Sequence, residues 1–207
     1  MRRTGYRRAR ARPIPDLRLA AVVAVGVLVT VLVPLAIPAG GGPAGADRGL
    51  EGVLQRACER DPGLFRALVI PSDGYVLIPL LLLGVLWYAR RGDLFAAGFL
   101  LVAPELAVAI NTWALKPLWH RHLHHYLAYP SGHTVQFVAI ATGFVLVAAD
   151  GRTRIAVGVT AAVVLVPVAA GMVGLGYHHP TDIVGGAAAA VALVSAMYLG
   201  ADRPRRR

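Results

Sequence analysis

The chain has 207 residues, 57% of them hydrophobic and only 15% charged, with a mean hydropathy of +0.60. Apolar runs recur along its whole length, which excludes an ordinary soluble domain and makes it an integral membrane protein. The net charge of +10 does not mark a nucleic-acid binder, because the arginines gather at the two ends of the chain, where they act as orientation signals.

Segments of spanning length occupy 17–37, 72–89, 94–115, 131–149, 155–176 and 182–200. Each has about 18–22 residues, close to the ~20 needed to cross ~30 Å of hydrocarbon at 1.5 Å per residue. The expected fold is all-α: six transmembrane helices in one antiparallel bundle. A basic tail at 1–16 and another at 201–207 flank a membrane domain at 17–200. Ala44-Gly45-Ala46 resembles a signal-peptide cleavage site, but the apolar stretch Leu19–Ile37 exceeds the usual ~7–15 residue signal core, so the first segment is read as a retained span. The glycine-rich stretch 39–46 reads as a loop. The lone cysteine, Cys58, rules out an intrachain disulfide.

With both termini placed in the cytoplasm, the inner segments hold 15 of the 21 lysines and arginines. This is the asymmetry expected of a plasma-membrane protein in that orientation. All seven histidines then fall on the outer side, five in 116–133 (KPLWHRHLHHYLAYPSGH) and two in 176–182 (GYHHPTD). Two connections far apart in sequence are thus brought to one face of one bundle.

Each connection carries a chemical arrangement. Pro130-Ser131-Gly132-His133 opens the fourth span, with Ser131 as N-cap and Gly132 allowing close backbone approach, a ready anion site at a helix N-terminus. Lys116 and Arg121 lie just upstream. In the second connection Asp182 follows His178 by four residues, a spacing that lets the carboxylate fix one ring nitrogen and leave the other as a nucleophile. His179 lacks that spacing and takes a supporting role. Glu105, inside the third span, is ionisable in hydrocarbon; with Thr112 and Lys116 seven and four residues on, it is expected on one helix face, supporting Lys116. Asn111 is expected to bond between helices, and Asp73 to cap the second span. Trp87, Tyr88, Trp113, Trp119, Tyr126 and Tyr129 are expected to anchor span ends.

Lys116, the Pro130–His133 tetrad and His178 with Asp182 together resemble the three-part signature of the type 2 phosphatidic acid phosphatase superfamily. The resemblance implies metal-independent hydrolysis of a membrane lipid phosphate or diphosphate, with no cofactor. It assigns His178 as nucleophile, Asp182 as its orienting partner and His133 as general acid. Lys116, Arg121, Ser131 and Gly132 would hold the phosphoryl oxygens. A polyprenyl diphosphate is the first substrate it suggests, with phosphatidic acid, phosphatidylglycerol phosphate and polyprenyl-linked sugar phosphates as rivals. The sequence departs from the family at two arginine positions, occupied here by Leu123 and Met172; His124, where the family has proline, and neighbouring histidines are candidate substitutes. Two other functions compete. His120, His122, His124 and His125 suit a divalent-metal chelator, and the missing arginines suit a catalytically silent lipid-binding relative.

Overall fold

The computed structural model describes residues 14–38 and 42–206; the arginine-rich start of the chain and part of the glycine-rich stretch lie outside them. The helices are α1 (Asp16–Leu32), α2 (Gly45–Arg60), α3 (Pro62–Val69), α4 (Gly74–Arg90), α5 (Leu94–Ile110), α6 (Lys116–Trp119), α7 (Gly132–Val147), α8 (Gly151–Gly174) and α9 (Pro180–Arg206). A two-stranded antiparallel hairpin, β1 (His122–Leu123) and β2 (Tyr126–Leu127), joins α6 to α7, pairing His122 with Leu127 and Leu123 with Tyr126.

Five helical stretches are long and apolar enough to cross a membrane: 16–36, 62–90, 94–119, 151–174 and 180–201. The fourth predicted span is shorter. Its helix, α7, has 16 residues, about 24 Å of rise. The third expected span is continuous through α6, but its Asn111–Leu115 turn is a π-helix. A π-turn inserts an extra residue and rotates everything beyond it. Glu105 and Lys116 are therefore no longer on a common face.

α7 sits at the centre. One side of it packs with α5 and α9 through Phe99, Ala103, Ala107, Val135, Ala139, Ala190 and Val194, and α1 joins the same cluster through Leu19. The other meets α4 and α5 through Leu77, Leu81, Leu100, Phe137 and Ile140. α1 lies along α9 at close range: a Cβ on Gly26 would stand 2.8 Å from the Ala188 carbonyl oxygen and 2.9 Å from Ala192 Cβ. Such small-residue contacts let membrane helices gain dispersion energy where no hydrophobic drive exists.

Sequence reading did not find α2 and α3. α2 is short and charged, so it offers no spanning signal, yet Asp47, Glu51 and Cys58 on it are buried. Both helices dock on α8, and α2 also reaches α9. Asp73 precedes α4, but its side chain makes no capping bond. The aromatic residues divide: Trp87 (56% exposed) and Trp113 (79%) face outward, whereas Tyr129 is fully buried and donates its hydroxyl to the Thr30 carbonyl at 2.7 Å. Burial, with Asp182 nearby, pushes the Tyr129 hydroxyl up, which keeps it a donor.

Candidate active site

The two histidine connections converge. The His133 and His178 rings are 6.3 Å apart, centre to centre, at an interplanar angle of 70°. His178 is 6% exposed; the His133 side chain is 42% exposed.

The tetrad is tied directly to the other motif. The Ser131 amide donates to the Asp182 carbonyl at 3.0 Å. Ser131 Oγ accepts from the Thr134 amide at 3.4 Å and from its hydroxyl at 3.1 Å. The first N–H groups of any α-helix lack intrahelical acceptors, and in α7 those of Gly132 and His133 occupy that place. Gly186 is what lets α9 approach: a Cβ there would lie 2.8 Å from the Ser131 carbonyl oxygen and 3.1 Å from Thr134 Cβ. Because the first obstacle is backbone, Gly186→Ala is expected to push α7 off α9 and cost about 1–3 kcal/mol, read as a lower melting temperature in detergent with loss of whatever activity the site has.

His178 Nδ1 faces Asp182 Oδ2 at 3.7 Å and has no hydrogen-bond partner among the described residues. That leaves Nε2 as the other ring nitrogen. Distances of this kind tighten when a substrate is bound. Asp182 is fully buried and strongly held: Oδ1 accepts from Arg121 Nη1 at 2.7 Å and Oδ2 from the His179 amide at 2.9 Å.

Arg121 is thereby placed differently from a phosphate grip. It is 3% exposed. Besides Asp182, it donates to Thr181 Oγ1 at 2.7 Å and the Gly42 carbonyl at 2.8 Å. Its Nη2 also stands 3.5 Å from Asp47 Oδ2. Asp47 in turn accepts the Thr181 amide at 3.0 Å and hydroxyl at 2.8 Å, so a carboxylate from α2 serves an N–H at the start of α9. His179 Nδ1 bonds Glu51 on the same helix. This network is not legible in sequence, because α2 is charged and carries no apolar period.

Lys116 is half-buried, and a Cβ on Gly132 would stand 4.0 Å from its Cε. Its amine donates to the Leu127 carbonyl, which fixes the hairpin over the site. Tyr126, on that hairpin, stacks edge-on with His178 at 6.1 Å and donates to the Tyr177 carbonyl. Burial and the nearby Asp182 push its hydroxyl up. Two expected supports stay apart from the site. Glu105 is exposed on α5 and makes no hydrogen bond or ion pair among the described residues; His124 is exposed at the hairpin turn, with φ +54°. Asn111 is buried and donates to the Pro130 carbonyl at 3.4 Å, so it braces the tetrad.

Among the described residues, one set of three groups has the mutual spacing of a metal site: Asp47, Glu51 and His179. Its carboxylates and His179 Nδ1 are engaged elsewhere, while His179 Nε2 has no hydrogen-bond partner among the described residues. Asp47 accepts the bonds above and one more from the Ala44 amide at 2.9 Å, Glu51 holds His179, and the Arg121 guanidinium adjoins the set. A neighbouring cation opposes a second one, so this cluster suits an arginine clamp better than a metal. His120, His122, His124 and His125 do not form such a set.

A buried histidine–aspartate dyad thus faces a second histidine at a helix N-terminus, with a lysine beside it, an arrangement suited to phosphoryl transfer in a membrane. Residues 107–206 match the model of the PAP2 superfamily. The chain is similar in structure to the first transmembrane PAP2-type phosphatidylglycerolphosphate phosphatase from Bacillus subtilis, with a TM-score of 0.63 over 91% of this chain and 98% of that one at 16% identity. No curated protein matches in sequence.

Proposed function

We propose that the protein hydrolyses a membrane lipid phosphate or diphosphate at the outer face of the plasma membrane through a phosphohistidine. The observation that carries this reading is the 6.3 Å opposition of His133 and His178, with Asp182 behind the latter. In the first step His178 Nε2 attacks phosphorus, the bond from phosphorus to the lipid oxygen breaks, and His133 gives that oxygen its proton. In the second, water attacks the phosphohistidine, His133 takes a proton from it, and inorganic phosphate leaves. Lys116 and the N–H groups at Gly132 and His133 stabilise charge on the phosphoryl oxygens. Arg121 serves as the clamp on Asp182. The outward placement rests on the lysine and arginine asymmetry, and polyprenyl diphosphate is the first substrate on that ground.

The test is phosphate release from prenyl diphosphate and phosphatidic acid in mixed micelles, with and without chelator. Release that is unchanged by chelator is expected, together with a phosphoenzyme stable to base and labile to acid, as a phosphorus–nitrogen bond is. Loss of release on chelation would refute the metal-independent mechanism. No release from either lipid would favour the silent relative, a reading supported by Leu123, Met172 and the engagement of Arg121.

A further inference from the structure

Asp73 stands where an N-cap aspartate normally closes on the first-turn amides of its own helix. Here only its backbone does so, the carbonyl accepting from the Val76 and Leu77 amides at 2.9 Å. The carboxylate instead reaches across to α7, with Oδ1 3.9 Å from His133 Nε2. The groups whose charge bears on His133 are Asp73 ahead of α4, Lys116 of α6 and His178 ahead of α9. Burial, His178 and Lys116 together oppose a proton on His133; Asp73 is the carboxylate of that set and offsets part of their effect. A general acid must begin each turnover protonated, and a site that gathers cations to grip a phosphate works against that requirement.

We propose that Asp73 is the positioning residue of the general acid, its carboxylate beside the ring favouring the protonated, proton-donating form of His133. Two carboxylate–histidine pairs then face each other across the phosphoryl site with opposite tasks. Asp182 backs the imidazole that attacks, and Asp73 backs the imidazole that protonates the departing oxygen. The 3.9 Å separation is too long for a hydrogen bond, so the His133 N–H remains available to the leaving group while the charge acts through space. This inference rests on the phosphatase reading of the site.

The experiment compares two leaving groups. A lipid alkoxide must be protonated to leave, whereas p-nitrophenolate departs without help. For Asp73→Asn, kcat on phosphatidic acid is expected to fall roughly 10- to 100-fold, within the range of general-acid effects, and at least tenfold more than kcat on p-nitrophenyl phosphate. Asp73→Glu should restore most of the difference. Equal losses on both substrates, or no loss on either, would overturn the proposal. Histidine NMR gives a readout independent of turnover: in Asp73→Asn the His133 titration should move to lower pH, and an unmoved titration rejects the role. If the wild-type protein hydrolyses neither substrate while the His133 titration still moves, the electrostatic pairing stands and the phosphatase reading fails.

Discussion

His178→Ala is expected to abolish phosphate release, with kcat falling on the order of 10⁴- to 10⁶-fold, the scale seen when a covalent nucleophile is removed from a working catalytic unit. The reason is that the Asp182 carboxylate stands behind the His178 ring, 3.7 Å from its Nδ1. His179 is the adjacent residue, but its Nδ1 is held by Glu51. The variant should still fold, since His178 Nδ1 has no hydrogen-bond partner among the described residues. Substrate binding should therefore survive, and a lipid phosphate should still protect the variant from thermal unfolding. The measurement is single-turnover phosphate release alongside base-stable phosphoenzyme. A phosphoenzyme of undiminished amount in His178→Ala would place the nucleophile elsewhere and end the mechanism proposed above.

Arg121→Met is expected to damage stability and activity together. The substitution leaves Asp47 and Asp182, both fully buried, facing one another without the cation between them. Removing one member of a buried ion pair commonly costs about 3–5 kcal/mol, because the remaining charge is stranded in a medium that cannot solvate it. Phosphate release should fall as well, since Asp182 would no longer be fixed behind His178. Asp47→Asn in the same chain should recover part of the stability by removing one stranded charge, so the double variant should be less destabilised than the sum of the singles. A residue whose role was to grip substrate phosphate would behave differently. Its loss would raise KM, leave the melting temperature unmoved, and show no coupling to Asp47. Thermal unfolding in detergent and steady-state kinetics on the four proteins decide between these outcomes.

The two predictions separate what was legible in sequence from what was not. The spanning helices and the convergence of two histidine connections follow from local rules. A run of apolar residues long enough for the bilayer must be helical, because no water is there to satisfy the backbone. The lysine and arginine asymmetry then assigns each connection a side. The His178–Asp182 pairing is likewise short-range, four residues along one stretch of chain. Its counterpart with His133 follows once both connections lie on one face.

Sequence alone did not reveal which charges pair. Arg121 and Lys116 look alike as free cations near a phosphate site, and nothing local says that one bonds carboxylates 74 and 61 residues away while the other stays beside Gly132. That distinction depends on α2, whose buried face carries acids rather than leucines and so gives no apolar period to read. Asp73 presents the same difficulty: its position before a helix predicts a cap, and only the approach of α7 gives its carboxylate a different neighbour. Glu105 shows the reverse case, where spacing predicts a shared face with Lys116 and one π-turn removes it. The chain thus fixes its spans and its chemistry through backbone hydrogen bonding and hydrophobic length, which are local quantities. Charge pairing in a low-dielectric interior is set by distances between separate helices, and packing alone determines those.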